Sequence, residues 1–204
     1  MCTGGNHTDS SRAIFFFDMN KLQPDIATST DQRQWYAIRV TYNRELKVKA
    51  DLDERGIENF LPMHYVYKTV DDKRVRRLVP AIHNLIFMLA DQATMAQYKS
   101  TTALPIRYIM NRETQRPMVV PRRQMDNFIA VAGTNNEQLI YLDEAPMDFK
   151  KGDKVKILGG IFEGAEGTFM RIKGDRRVVV SIPGIIAVAT MNIHPSLLQR
   201  ITNQ

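Results

Sequence analysis

Cysteine is nearly absent from this chain of 204 residues, because Cys2 is the only one. A single thiol cannot form an internal disulfide, and the cysteine and histidine residues show no zinc-ligand spacing. The sequence therefore predicts a protein of a reducing compartment, with no metal site and no cofactor.

The chain also lacks a long apolar run. The apolar stretch near its N-terminus, residues 13–17, is too short for a signal-peptide core or a membrane span, and Asp18 follows it directly. We therefore expect a cytoplasmic protein without membrane contact.

Recognisable catalytic spacing is missing as well. No nucleophile, base and orienting partner occur at a known spacing. The glycine-rich run 160–167 lacks the Gly-Lys-Ser/Thr ending with which a phosphate loop contacts phosphate and metal. The sequence thus indicates a binding protein rather than an enzyme.

The residues that are present suit a globular protein with a polyanionic partner. The chain is 44% hydrophobic and 25% charged, so it can bury a core, and its length permits two small domains. Its net charge is +6. Clustered lysine and arginine gain free energy by displacing counterions from nucleic acid, so this balance favours nucleic-acid surroundings.

Residues 151–172 predict two short strands joined by a glycine-rich loop. Apolar residues alternate at Val155 and Ile157, four glycines interrupt the pattern, and alternation resumes at Phe169. Further strands are expected over 178–182 and 185–189, with a strand or turn near 197–201. The β-branched run 178–180 favours a permanent β-structure. A small β-barrel over residues 146–204 accounts for this pattern.

The preceding residues alternate between strand and helix patterns. Residues 1–34 lack a periodic apolar face and are predicted to form a mostly disordered tail. Asn43 is expected to cap the first helix, and Gly56 to end it. The predicted elements are a strand over 35–40, a helix over 45–55, a strand over 60–67, a charged loop over 68–77, a buried central strand over 85–90, a helix over 93–100, a strand over 106–110 and a helix from Pro121.

This order predicts an α+β sandwich over residues 35–132, with helices laid on a mostly antiparallel sheet. A polar run beginning at Gly133 is the best candidate for a linker, which we place at residues 133–145.

The two halves together resemble a known family. The pattern of residues 151–172 resembles the KOW motif, and Trp35-Tyr36 followed by Tyr42 and the helix from Glu45 resembles the N-terminal domain of the NusG family of transcription elongation factors. Asn84 and Phe87 agree with a family segment that enters the central strand, whereas His83 and Leu85 replace its proline and tyrosine. The chain resembles specialised members more than housekeeping ones, in particular the UpxY-type antiterminators that act on capsular-polysaccharide operons.

The resemblance implies a factor that binds the clamp helices of RNA polymerase and suppresses pausing or termination. It implies a polymerase contact at Trp35, Tyr36, Ile82 and Leu85. The alternative interpretation of these residues, and of Trp35 and Leu85 in particular, is that they belong to the hydrophobic core.

Six basic residues are the candidates for nucleic-acid contact. In specialised relatives such surfaces meet the non-template DNA strand, and nascent RNA is the other candidate strand. A solvated charged surface is the alternative for each of them. The six are Arg44, Lys47, Lys73, Arg74, Arg76 and Arg77. Arg122 and Arg123 at a helix start would oppose the helix dipole if unpaired, which also suggests an anionic partner.

The resemblance further implies that the KOW barrel recruits a partner such as a ribosomal protein or a termination factor. The competing hypothesis is a general RNA-binding or ribosome-associated protein. In that hypothesis the barrel makes the essential contact and the first domain is a passive platform.

Overall fold

A computed structural model describes residues 32–143 and 152–201 of the chain. The predicted tail up to residue 31, with Cys2 and the apolar run 13–17, lies outside the described residues, as does Lys151. The described elements, in chain order, are β1 (Gln34–Val40), α1 (Glu45–Glu54), β2 (Asn59–Phe60), β3 (Met63–Val70), β4 (Lys73–Pro80), β5 (Leu85–Ala90), α2 (Gln92–Thr101), β6 (Ile106–Tyr108), β7 (Val119–Val120), α3 (Arg122–Ala132), β8 (Ile140–Asp143), β9 (Asp153–Ile157), β10 (Glu166–Ile172), β11 (Asp175–Ile182), β12 (Ile186–Ala189) and β13 (Leu198–Arg200), with a 3₁₀ turn at Pro195–Leu197.

The first sheet has the strand order β2-β5-β1-β6, and β7 also pairs with β1. Every pairing in it is antiparallel. All residues of β5 are buried, which confirms the prediction of a central strand covered on both faces.

Side chains of β1 alternate between the two faces of this sheet. Trp35 and Ala37 lie in one core cluster with Phe128 of α3. Tyr36 and Ile38 lie in a second cluster, with side chains of α1 and α2. This is the period-two alternation expected of a strand buried on both faces.

Helix α1 begins at Glu45 as predicted and ends within one residue of the prediction, at Glu54, but its predicted cap is wrong. Gly56 has φ +66°, the left-handed conformation that favours glycine after a helix. The predicted cap at Asn43 is wrong, because the capping position is Arg44 and no side chain caps the helix there. Asn43 itself has φ +51°, in a turn with Tyr42 at φ +63°.

The predicted charged loop over residues 68–77 is wrong, because this segment is part of a β-hairpin. Strands β3 and β4 pair antiparallel along their whole length and form a separate two-stranded sheet. Asp71 and Asp72 connect them, with φ +48° and +59°. Positive φ at both turn residues is what a two-residue type I′ hairpin requires. We call β3 and β4 the basic hairpin.

The second sheet has six antiparallel strands in the order β13-β9-β10-β11-β12-β8. Strand β8 falls within the predicted linker and pairs with β12. Among the described residues, two antiparallel sheets, the hairpin and a few helices thus give a mixed α and β fold, as predicted.

Candidate functional site

The basic hairpin presents two different faces. Residues paired directly across two antiparallel strands project to the same side, and successive residues alternate sides. The register pairs Tyr65 with Leu78, Tyr67 with Arg76 and Thr69 with Arg74, so these six residues form one side, which we call the aromatic face. The opposite side, which we call the valine face, carries Val66, Lys68, Val70, Lys73, Val75 and Arg77.

Two arginines of the aromatic face stack on its tyrosines. The guanidinium carbon of Arg74 lies 4.9 Å from the ring centroid of Tyr67, and that of Arg76 lies 3.6 Å from the centroid of Tyr65. Both distances fall within the range of cation–π attraction. Arg76 also forms an ion pair with Glu137, with 2.9 Å between Nε and Oε1.

The predicted basic cluster is therefore divided by the hairpin. Arg74 and Arg76 lie on the aromatic face, whereas Lys73 and Arg77 lie on the valine face. All four side chains are exposed. Tyr65 and Tyr67 belong to the predicted strand 60–67, but they were missed as candidates because residues 68–77 were interpreted as a loop, which gave the arginines no common face with the tyrosines.

The other two predicted basic residues belong to the start of α1. Arg44 precedes the helix, and its guanidinium carbon lies 5.9 Å from the ring centroid of Tyr42. The Tyr42 ring is 79% exposed. Lys47 is exposed one turn further along the helix. This end of α1 therefore adds positive charge and an aromatic ring to the surface.

The predicted polymerase contacts occupy different environments. Trp35 and Leu85 are 4% and 5% exposed and belong to one core cluster, which also contains side chains of α3 and of the second sheet. Tyr36 lies on the opposite face of the first sheet, in the cluster with α1 and α2. Ile82 is partly buried against the first cluster. The structure thus brings Trp35, Leu85 and Ile82 to one side and places Tyr36 on the other.

A cleft of about 420 Å³ opens beside Ile82 and Leu85. Arg39 and His83 add polar groups to it, and Tyr141 and Ile185 line it from the second sheet. Its mixture of apolar surface and basic groups suits an apolar side chain flanked by a carboxylate.

Glu45 holds the segment that carries Ile82. Its side chain is 2% exposed, and its Oε1 accepts a hydrogen bond from the backbone N–H of Asn84 at 2.5 Å. Asn84 has φ +66°, and its carbonyl accepts from the N–H of Val40 at 3.1 Å. The sequence around Glu45 gives no signal for its role in fixing residues 81–84, because its partner Asn84 lies 39 residues further along the chain.

Helix α3 contacts the second sheet through polar groups as well as apolar ones. Arg123 forms an ion pair with Glu166, and Asn127 Oδ1 accepts a hydrogen bond from the Glu166 N–H at 2.9 Å. The anionic partner that the sequence predicted near Arg123 is thus a residue of the same chain.

Tyr141 of β8 links three parts of the fold. Its hydroxyl donates to the carbonyls of Met63 in the basic hairpin and Ala132 in α3, at 3.4 and 3.5 Å. Its ring meets His64 edge to face, with 6.4 Å between centroids. Burial raises the pKa of the Tyr141 phenol to about 12.

Within residues 32–143 and 152–201, no group of three or more histidine, cysteine, aspartate or glutamate residues is arranged to hold a metal ion. No helix in the same residues has the length and apolar character needed to cross a membrane.

Comparison with known proteins bears on the first half of the chain. No curated protein sequence matches. Among solved structures, the chain is similar to one described as "Domain interaction in Thermotoga maritima NusG", with 21% identity, a TM-score of 0.40, and coverage of 83% of this chain and 98% of that one. Residues 33–129 match the sequence profile of the family NusG, described as "Transcription termination factor nusG". Residues 33–129, from β1 into α3, are therefore similar to the NusG family.

Proposed function

We propose that this protein is a transcription elongation or antitermination factor that binds RNA polymerase and suppresses pausing or termination. The single observation that carries this proposal is the similarity of residues 33–129 to the NusG family. A cytoplasmic location, with the polymerase, belongs to the same proposal.

The polymerase contact is assigned to the cleft beside Ile82 and Leu85. The tips of the clamp helices would insert an apolar side chain there, and Arg39 would pair with a carboxylate beside it. A bound factor shifts the polymerase between its paused and elongating states only through different affinities for the two. The proposal therefore requires that the protein bind elongating polymerase, in which the clamp is closed, more tightly than paused polymerase.

Trp35 and Tyr36 require a separate account, because both are buried. Trp35 lies beneath side chains of α3 and the second sheet, so a direct contact with polymerase needs that cover to move. In the present arrangement Trp35 supports the sheet from which Leu85 reaches the cleft.

The nucleic-acid contact is assigned to the six basic residues named above. Lys73, Arg74, Arg76 and Arg77 project from the exposed basic hairpin, and Arg44 and Lys47 from the start of α1. Non-template DNA is the partner we favour, with nascent RNA second. Backbone charge supplies the affinity in either case.

The second sheet is proposed to be a KOW barrel that recruits a ribosomal protein or a termination factor. Three large apolar side chains are exposed on it, Leu158, Ile161 and Leu197. The N–H of Leu158 donates to the carbonyl of Leu197 at 2.8 Å, so two of the three lie on adjoining strand ends. An exposed apolar group of this kind is typical of a protein-binding surface.

A narrower assignment concerns the target genes. His83 and Leu85 occupy positions where the NusG family is expected to have proline and tyrosine, and both line the cleft. We propose that the protein is a specialised member acting at particular operons, such as those for polysaccharide synthesis.

Retention of RNA polymerase by the immobilised full-length chain tests the proposal. Ile82→Ser should weaken retention at least tenfold, because a well-packed contact side chain contributes roughly 1.4 kcal/mol or more. Ile161→Ser, which removes an exposed isoleucine from the turn between β9 and β10, should leave retention unchanged. Wild-type protein should also reduce pausing or termination on a cognate leader in transcription with purified polymerase.

A different result would support the competing hypothesis. If purified polymerase is not retained and ribosomes or RNA are retained instead, the protein is an RNA-binding or ribosome-associated module. If retention is lost with Ile161→Ser and not with Ile82→Ser, the polymerase contact lies on the second sheet.

A further inference from the structure

We propose that the aromatic face of the basic hairpin binds an unpaired nucleic-acid strand by stacking its bases on Tyr67 and Tyr65 and on the arginines that cover them. This inference deepens the proposed nucleic-acid contact and rests on it. It names the tyrosines as base-contacting residues and confines the base contact to one face. It also makes Glu137 a competitor of the phosphate groups for Arg76.

The aromatic face carries two kinds of planar group, tyrosine rings and arginine guanidinium groups, on which a base can stack. The guanidinium groups of Arg74 and Arg76 lie over the rings of Tyr67 and Tyr65 at 4.9 and 3.6 Å. Tyr67 is 51% exposed, so a base can reach this row of flat surfaces. Nucleobases stack on aromatic rings and on guanidinium planes, and such stacking tolerates any base.

The valine face has different chemistry. It carries Lys68, Lys73 and Arg77 among valines, without a tyrosine. Lysine ammonium groups attract phosphate as point charges but offer no plane on which a base can stack, which leaves Arg77 as the single guanidinium among these residues. The two faces should therefore contribute differently: the aromatic face by stacking and charge, the valine face mainly by charge.

The ligand should be unpaired because stacking needs exposed base faces. A duplex presents phosphates and base edges to a protein, while its base faces are covered by neighbouring pairs. Residues 63–80 carry five lysines and arginines against two aspartates, so the hairpin attracts the strand through its phosphates as well.

Glu137 forms an ion pair with Arg76, the arginine that a phosphate of the bound strand would contact. Its carboxylate lies 2.9 Å from Arg76 Nε, and the two side chains are 42% and 50% exposed. A phosphate approaching Arg76 must displace this carboxylate. Removing the charge at Glu137 should therefore raise affinity, an effect opposite to that of losing a structural contact.

The experiment is fluorescence anisotropy with the full-length chain, without polymerase, and labelled oligonucleotides of mixed sequence roughly a dozen nucleotides long. Single-stranded DNA, single-stranded RNA and duplex DNA form the three arms. Tyr67→Leu should weaken single-strand binding at least about fivefold, whereas Tyr67→Phe, which keeps the ring, should bind like wild type. The two single-strand arms show which strand is preferred.

Charge variants complete the test. Arg74→Gln and Lys73→Gln each remove one charge at neighbouring positions on opposite faces, and Arg74→Gln should weaken binding more because it also loses a plane. Either change should reduce the salt slope by up to about 0.7, and Tyr67→Leu should leave the slope unchanged. Glu137→Gln should tighten binding roughly two- to fivefold, the range expected for an exposed ion pair.

The inference is overturned if Tyr67→Leu binds as wild type does, if duplex binds as tightly as single strands, or if Lys73→Gln and Arg74→Gln are equal. Failure of Glu137→Gln to tighten binding removes the competitor role. Loss of polymerase retention with intact oligonucleotide binding refutes the proposed function alone, and the reverse result refutes this inference alone.

Discussion

The carboxylate of Glu45 is almost fully buried, yet it belongs to a surface helix. It accepts the N–H of Asn84 and so fixes the short segment that carries Ile82 into β5. A carboxylate in the first turn of a helix also interacts favourably with the helix dipole. The two effects explain why a charged residue is tolerated at this buried position.

Glu45→Ala should lower the free energy of unfolding by about 1.5–3 kcal/mol, because it leaves a backbone N–H without its charged acceptor. Glu45→Gln keeps an acceptor oxygen and should lose less. Urea denaturation measures both. Glu54→Ala, an exposed change in the same helix, is the control and should stay within about 0.5 kcal/mol of wild type. Equal losses for Glu45→Ala and Glu54→Ala would contradict this role.

The sequence could predict side chains whose neighbours along the chain determine their environment. Trp35 and Leu85 follow the strand pattern and lie in the core, in agreement with the core interpretation considered for them. Glu45 could not be recognised, because its partner Asn84 is brought to it only by the fold. The contact between Tyr65 and Arg76 is a further example, since it joins diagonal neighbours that share a face only once the two strands are paired.

The second sheet requires glycine at position 167 in β10, because the neighbouring strand lies too close to leave room for a side chain. A Cβ atom added there would lie 2.5 Å from the carbonyl oxygen of Val179 and 2.7 Å from Val178 Cγ1. Because the nearest atom is backbone, relief requires the strands to separate. Sequence reasoning assigned this glycine to a loop, whereas the structure places it inside a strand.

Gly167→Ala should therefore lower the free energy of unfolding by about 1–3 kcal/mol, the usual range for overpacking a core. Gly159→Ala is the matched control, since its added Cβ would meet only Leu197 Cδ2, at 3.7 Å. Thermal and urea denaturation of the two variants make the comparison. A Gly159→Ala variant as unstable as Gly167→Ala would show that the close approach is not the cause.

Among the elements, β5 was predictable, whereas the basic hairpin was predicted only in part: the strand over 60–67 covers most of β3, and β4 and the turn were missed. Six consecutive apolar residues can be satisfied only by burial on both faces, so their pattern determines their place. The hairpin segment is dominated by charge, and its turn is Asp-Asp rather than the Asn-Gly or Asp-Gly pair that predicts a two-residue turn. The alternation of its side chains between two faces is recognisable only from the pairing of the two eight-residue strands.

At the scale of the whole molecule, Tyr141 connects β8, the basic hairpin and α3 through one partly buried phenol. Its pKa of about 12 exceeds the ordinary tyrosine value of about 10, so the folded state holds its proton more tightly than the unfolded state. The contribution of this phenol to the free energy of unfolding is then fully present below about pH 10 and is lost as the pH rises toward 12. Burial raises the pKa of Tyr98 and Tyr108 to about 12 as well.

Tyr141→Phe should reduce this alkaline loss, because it removes one of the tyrosines whose pKa is raised by burial. The measurement is the free energy of unfolding in urea at pH 9 and pH 11, and the difference should be smaller in the variant than in wild type. Tyr42→Phe, at an exposed ring, should show the wild-type difference. An unchanged difference in Tyr141→Phe would mean that this phenol does not contribute.

One core cluster extends from the first sheet through α3 into the second sheet. It contains Trp35 and Phe87 of the first sheet, Phe128 of α3, and Val178 and Val180 of β11. The ring of Phe128 lies 5.7 Å from that of Phe87, measured between centroids, and is fully buried. The two sheets should therefore protect one another's backbone amides rather than open independently.

Phe128→Ala should lower the free energy of unfolding by about 3–5 kcal/mol, because it leaves a large cavity in the shared cluster. Amide hydrogen exchange followed by mass spectrometry should then rise in peptides from both β1 and β11. Asp126→Ala, an exposed change on the same helix, should alter exchange in neither strand. If Phe128→Ala raises exchange in β1 alone, the second sheet has its own independent stability, and α3 belongs energetically to the first sheet only.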